Sequence, residues 1–235
     1  MNRENIIKLA VKHNGEYDRI VKGINEQDDV SNVSLEGINA ITIFDKEYPK
    51  ELLELKYPPF VLFYKGNLDL LGMEKIAVCG SRNHTNYSAK VTRDLVLTNN
   101  DKAIVCGLAK GIDTITMHNA EHPIAVLGCG IDYIYPQCNS DLFNVVERKG
   151  LILSEYPFYT KPLSYHFPFR NRIIVALSKK TYVMEARQTS SNAIDTALEL
   201  GKDIEVLPFD VFTELANGIK NNDYIREGAK ALSLF

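Results

Sequence analysis

Lys75-Ile76-Ala77-Val78-Cys79-Gly80-Ser81-Arg82 decides the fold. It is an apolar run of strand length that breaks on a glycine, with a hydroxyl and a cation following. The shape returns at Ala103–Cys106, Ile124–Leu127, Leu151–Ser154, Thr181–Glu185 and Ile204–Leu207. Between these runs the spacing predicts helices at about Tyr87–Leu97, Ile112–Glu121, Asp141–Arg148, Asn171–Ser178 and Asn192–Leu200. Short continuous apolar strands alternating with helices indicate an α/β fold, a doubly wound and mainly parallel sheet covered on both faces. Such sheets take ligands at the carboxyl ends of their strands.

Those ends are where the sequence becomes unusual. Gly80-Ser81-Arg82 follows the first strand, Gly107-Leu108-Ala109-Lys110-Gly111-Ile112-Asp113 the second, and Gly128-Cys129-Gly130-Ile131-Asp132 the third. Glycines let a ligand approach the backbone, and Ser81, Arg82 and Lys110 are donors suited to phosphate. Neither G-x-G-x-x-G nor G-x-x-x-x-G-K-[ST] occurs, so no NAD, ATP or other cofactor is expected.

Farther along stands Phe167-Pro168-Phe169-Arg170-Asn171-Arg172-Ile173-Ile174-Val175-Ala176-Leu177-Ser178. It reads as an aromatic loop entering a buried helix that Asn171 caps. Arg170 and Arg172 then sit at the positive end of the helix dipole, a conflict that a bound phosphate would relieve. Glu155 and Glu185 are the alternative partners. The company of Tyr156, Phe158, Tyr159, Tyr165, Phe167 and Phe169, with Lys161 and His166 among them, suits unstacked bases and their phosphates.

The rest bounds the problem. Of 235 residues, 45% are hydrophobic, enough for a sizeable core, and the net charge is −3. Any polyanion site is a local patch on a mildly acidic body. No apolar run reaches membrane-spanning length and Met1–Asn5 opens no signal segment, so no membrane association is expected. Cys79, Cys106, Cys129 and Cys138 lack a CxxC spacing and read as buried, reduced thiols of a cytosolic protein rather than zinc ligands. His118-x-x-Glu121-His122 has an inverted zinc-protease spacing, but Pro123 follows at once. His118 reads as packed between helix and sheet, and no metal is expected. Glu185 reads as an arginine partner or a loop cap, and Asp113 and Asp132 as structural carboxylates. Residues 1–37, with Ile6, Ile7, Leu9, Ala10 and Val11 in one amphipathic stretch, form a small helical appendage to a main domain at 38–235. Phe60–Tyr64 leads into that domain as a short strand or extended segment.

Taken in order, these pieces resemble one family. Gly80-Ser81-Arg82, Gly107-x-Ala109-x-Gly111-Ile112-Asp113, Ala125-Val126-Leu127-Gly128-x-Gly130-x-Asp132-x-x-Tyr135-Pro136, Ser154-Glu155-x-Pro157 and Phe167-Pro168-x-Arg170-Asn171-Arg172-x-Ile174 are similar to the motifs of the DNA-processing protein A (DprA/Smf) family over residues 40–230. Tyr48-Pro49 through Gly66-Asn67, and Asn222 through Ala229, resemble its flanking segments. The resemblance implies an extended Rossmann-like fold that binds single-stranded DNA without hydrolysing it, dimerises, and helps load the RecA recombinase during natural transformation. By motif, the DNA groove would include Gly80, Ser81, Arg82, Gly107, Lys110, Gly111, Phe167, Arg170, Asn171 and Arg172, with Phe167 or Phe169 as stacking surfaces.

The sequence departs from the family at Gln137, where a basic residue is usual. It departs again at Gln188-Thr189-Ser190-Ser191 in place of a Ser-Gly pair, and at Phe209 in place of glycine. A winged-helix domain at the C-terminus, carried by many members, is not expected here. The alternatives are a nucleotide N-glycosidase similar to phosphoribohydrolases, using Glu185 and Arg170, or a nucleotide sensor. The former's Pro-Gly-Gly-x-Gly-Thr-x-x-Glu signature is absent.

Overall fold

The structure is a computed structural model that describes residues 1–187 and 192–233. In chain order the helices are α1 (Arg3–Lys12), α2 (Tyr17–Asn25), α3 (Asn86–Thr98), α4 (Ile112–Asn119), α5 (Ser140–Lys149), α6 (His166–Leu177), α7 (Asn192–Glu199), α8 (Val211–Asn217) and α9 (Asn221–Arg226). The strands are β1 (Ala40–Thr42), β2 (Val61–Gly66), β3 (Lys75–Gly80), β4 (Ala103–Cys106), β5 (His122–Leu127), β6 (Leu151–Ser154), β7 (Lys180–Glu185), β8 (Asp203–Val206) and β9 (Lys230–Ala231).

Among the described residues these strands form one nine-stranded sheet in the order β1-β2-β6-β5-β4-β3-β7-β8-β9. From β6 to β9 every pairing is parallel. The segment leading into the domain is a strand, β2, and it joins the same sheet, paired antiparallel to β6. The expected α/β architecture stands, with two antiparallel strands added at one edge.

Both faces of the parallel strands are covered, which explains their unbroken apolar runs. On one face Ile173, Ala176 and Leu177 of α6 pack with Ala77, Val105 and Val126. On the other, Val96 of α3 and Ile112 of α4 pack with Ile76 and Ile104. Ile6, Leu9 and Ile20 of α1 and α2 extend that second layer over Phe63, Ala125 and Leu127.

One element starts earlier than its sequence suggests. Pro168 looks like loop punctuation, yet α6 begins at His166 and takes Pro168 into its first turn. The missing N–H has no consequence there, because first-turn amides have no partner within the helix. Asn171 therefore lies inside the helix instead of capping it. Arg170 and Arg172 lie beyond the first turn, not at the positive helix end.

Candidate nucleic-acid interface

β3 leads to β4 on one side, and its other neighbour β7 leads to β8. Chain connections thus diverge between β3 and β7, and a crevice opens beyond their carboxyl ends. A cleft of about 710 Å³ lies there. One wall is Gly80-Ser81-Arg82-Asn83, another is Phe167, Arg170 and Asn171 of α6, and Glu185 and Arg187 close the β7 side.

Arg170 is the buried keystone of this arrangement. Its Nη1 donates to the carbonyls of Gly107, at 3.0 Å, and Val126, and its Nε donates to Asn171 Oδ1 at 3.2 Å. A Cβ on Gly107 would lie 2.3–2.6 Å from the guanidinium, so the glycine is required by close approach. Burial pushes the guanidinium below its ordinary pKa, and the charge of Asp113 opposes that shift. Asp113 Oδ2 in turn accepts the amides of Gly107 and Ala109 at 3.0 and 3.1 Å. Burial raises the Asp113 carboxyl, against the pull of Arg170 and those amides. The amides of the Gly107–Gly111 loop that Asp113 holds are turned inward. Lys110 is exposed on the loop and does not line the cleft. Gly111 sits against the carbonyls of Ser81 and Arg82, and the Ile112 amide donates to Ser81 O at 3.2 Å, tying the first two strand ends together.

The Ser81 hydroxyl is buried; it donates to Asn83 O at 2.7 Å and accepts the Asn83 amide at 3.1 Å, shaping the turn. Arg82 is exposed at the cleft mouth and in no ion pair among the described residues. Glu185 behaves as expected of an arginine partner and cap. Its Oε2 accepts the Thr85 amide (2.8 Å) and the Ser88 hydroxyl (2.7 Å) at the start of α3, and its Oε1 meets Arg187 at 2.9 Å.

Helical rotation separates the two arginines of Arg170-Asn171-Arg172. At about 100° per residue, positions two apart point to different faces. Arg172 turns away from the cleft into a buried bidentate pair with Glu155, at 2.6 and 2.5 Å. Its Nε donates to Tyr57 O at 2.9 Å, and its guanidinium lies 3.7 Å from the Phe169 ring centre. The aromatic group divides in the same way. Phe169 belongs to the Arg172 side, and Tyr156 is buried against His166 at 3.9 Å. Phe167 alone of that group lines the cleft, beside Tyr135 at 5.5 Å. Tyr135, Asn83 and Arg187 are lining residues that reasoning from sequence did not assign. Tyr135 precedes Pro136 in the segment after the third glycine-rich strand end, and Asn83 directly follows Gly80-Ser81-Arg82.

Other expectations need correction. His118 is exposed, not packed between helix and sheet, because α4 ends at Asn119 and His122 opens β5. Among the described residues no group of three or more His, Cys, Asp or Glu could hold a metal. Cys138 is exposed and Cys79 half-buried, while Cys106 and Cys129 are buried as read. Gln137 is exposed and donates to Ile134 O at 3.0 Å. Phe209 is buried edge-on to Tyr87. Gln188–Ser191 lies outside the described residues. No described helix is long and apolar enough to cross a membrane.

A mainly parallel, doubly wound sheet with its cleft at the point where strand order reverses places the protein among Rossmann-like α/β proteins. Comparison with known proteins narrows this. The sequence model of the DNA recombination-mediator protein A family matches residues 39–234. The DNA processing protein DprA of Streptococcus pneumoniae is 40% identical over 201 residues, 83% of this chain and 71% of that protein. Its counterpart in Bacillus subtilis is 38% identical over 208 residues, 84% and 69%. The X-ray structure of the S. pneumoniae protein superposes with a TM-score of 0.81, at 37% identity, over 91% of this chain and 78% of that one. A structure of DNA processing protein A from Helicobacter pylori, described for its single-stranded DNA binding mode, gives 0.75 at 31% identity, over 85% and 92%. The chain belongs to the DNA recombination-mediator protein A family, and its role is in DNA processing and recombination.

Proposed function

We propose that the chain binds single-stranded DNA in the β3–β7 cleft, without hydrolysing it, and delivers it to the RecA recombinase as a cytoplasmic homodimer. The observation that carries the reading is Arg82: an exposed cation at the mouth of a switch-point cleft, in no ion pair among the described residues. A backbone phosphate supplies the missing partner. Phe167 and Tyr135 offer aromatic surface on the same cleft, suited to bases of any sequence. Gly80, Ser81, Gly107, Arg170 and Asn171 form the cleft's frame, with Lys110 and Gly111 on the adjoining loop. Arg172 acts through its Glu155 pair rather than by touching DNA. In this reading residues 38–235 are the DNA-binding body and 1–37 its helical appendage. The H. pylori relative's single-stranded DNA binding mode supports it. The carboxylate of Glu185, engaged by Thr85, Ser88 and Arg187, argues against a glycosidase that needs it free. For the homodimer, α8 offers Phe212 and Leu215, 85% and 78% exposed, as an apolar face that a second copy would cover.

The test is fluorescence anisotropy with an oligo-dT strand and a duplex at two salt concentrations. Single strand should be preferred, and affinity should fall with salt. Arg82→Ala should weaken binding and flatten the salt slope by about 0.7, the value of one lost phosphate contact. Absence of binding to either DNA at low salt overturns the reading.

A further inference from the structure

Residues 1–38 lie outside the family match, yet they grip the helix that walls the cleft. The turn between α1 and α2 runs through Asn14 (φ 53°) and Gly15 (φ 75°). A Cβ on Gly15 would lie 2.3 Å from the carbonyl oxygen of Glu155, so only glycine lets this turn press against the strand-to-helix connection beyond β6. Glu16 comes next. It occupies the N-cap position of α2, but its side chain caps nothing there. Its Oε1 instead accepts the Tyr165 hydroxyl at 2.8 Å and meets His166 Nε2 at 3.0 Å.

Those two residues are the start of α6. Tyr165 is its N-cap residue and makes no side-chain cap, and the first turn holds no acidic residue of its own. A carboxylate brought in from elsewhere suits that positive helix end. Glu16 supplies that carboxylate at the first turn of α6. His166 is fully buried, and its Nδ1 has no hydrogen-bond partner among the described residues. A carboxylate only accepts, so Nε2 carries the proton that meets Glu16. A second contact runs in parallel: Tyr17 of α2 lies 5.4 Å from Tyr57, which lies 6.1 Å from Phe169 in α6. Phe167, which lines the cleft, follows directly on the gripped residues, and Arg170, which also lines it, stands one helical turn after His166.

We propose that Glu16 is a positioning residue for the cleft, through which the N-terminal helical pair holds the first turn of α6 and so fixes Phe167 and Arg170. The inference rests on the reading of the cleft as a single-stranded DNA site. Glu16 itself does not line the cleft.

The experiment measures oligo-dT affinity and backbone hydrogen exchange in full-length protein. Glu16→Ala should weaken binding about tenfold, the effect of losing a charge-assisted contact. Glu16→Gln, which keeps an acceptor oxygen, should stay within about threefold of wild type. Exchange across residues 166–172 should quicken in Glu16→Ala. Arg3→Ala, which severs the Arg3–Asp45 link of α1 at 2.8 Å without touching α6, should leave both readings unchanged. Should Glu16→Ala not fold, Tyr165→Phe carries the test, because that ring is exposed; about twofold weaker binding with faster exchange is expected. Wild-type protein that binds while Glu16→Ala or Tyr165→Phe matches it in affinity and exchange overturns the inference alone. Wild-type protein that binds no DNA overturns the functional reading and the inference with it.

Discussion

Arg172→Ala separates a structural arginine from a ligand-binding one. The side chain is buried, and so is that of its partner Glu155. It makes two hydrogen bonds to that carboxylate, one each to Tyr57 O and Phe169 O, and a face contact with the Phe169 ring. Removing one member of a buried pair leaves an uncompensated charge and costs about 3–5 kcal/mol. For a chain of this size that lowers Tm by roughly 6–20 °C, at about 2–4 °C per kcal/mol. Removing both charges at once, as in Arg172→Met with Glu155→Leu, should restore more than half of the loss, since no charge is stranded. Arg172→Met, Glu155→Leu and the double variant form a cycle; with each single costing about 3–5 kcal/mol and the double less than half of that, the coupling should be at least about 4 kcal/mol, read from urea unfolding at fixed pH. The salt slope of DNA binding should stay at the wild-type value, because Arg172 faces away from the cleft. A stability loss under about 1 kcal/mol, the range of an exposed pair, would refute the assignment. So would a flattened salt slope in folded Arg172→Ala.

Gly107→Ala should destabilise by about 1–3 kcal/mol, since the methyl group lands within 2.6 Å of the Arg170 guanidinium; a chemical melt unchanged from wild type would contradict the packing. Tyr159 holds φ at 64° with 84% of its surface exposed, its amide donating to Asp132. Tyr159→Gly should therefore stabilise by about 1 kcal/mol, and a lower Tm would contradict this. Burial first, and the Asp113 charge second, push the Cys79 thiol up to about 12. At pH 8 its thiolate is then roughly one part in ten thousand, so iodoacetamide mapping should find exposed Cys138 labelled long before Cys79.

The sheet was legible because its strands are buried on both faces, and unbroken apolar runs such as Ala103–Cys106 have few other readings. β1 and β9 are too short to leave a pattern. The cleft was legible only in part. Sequence marks Arg170 and Arg172 equally, and the rotation that sends one to Gly107 and the other to Glu155 depends on where α6 starts. That start was hidden by Pro168, which breaks a helix anywhere but its first turn. The aromatic cluster misled for a related reason. Tyr156, Phe169 and Tyr165 are drawn to partners distant in sequence, His166 excepted, and no local pattern reports Tyr57 or Glu16.

Glu185 shows how this cleft differs from that of a dinucleotide binder. In such folds the first strand-helix turn aims helix amides at a phosphate. Here the corresponding start of α3 already faces a carboxylate delivered by β7, with the Thr85 amide and the Ser88 hydroxyl bound to it. A phosphate approaching the switch point meets Arg82 at the rim instead. The arrangement has a pH signature. Burial raises the Glu185 carboxyl, but the bonds from Thr85, Ser88 and Arg187 outweigh it, and the folded pKa lies below the ordinary 4.5. A carboxyl depressed by folding contributes stability above its unfolded pKa, and that contribution is lost as pH falls through the folded value. Asp113, raised by burial, runs in the opposite sense, so the bare profile mixes the two. The difference between wild type and Glu185→Gln isolates one of them. Wild type should be the more stable at neutral pH, and its advantage should shrink as pH is lowered from about 7 to about 3. An advantage that is constant or grows on acidification would mean that Glu185 is not held as a charged cap on α3, and the phosphate position there would be open after all.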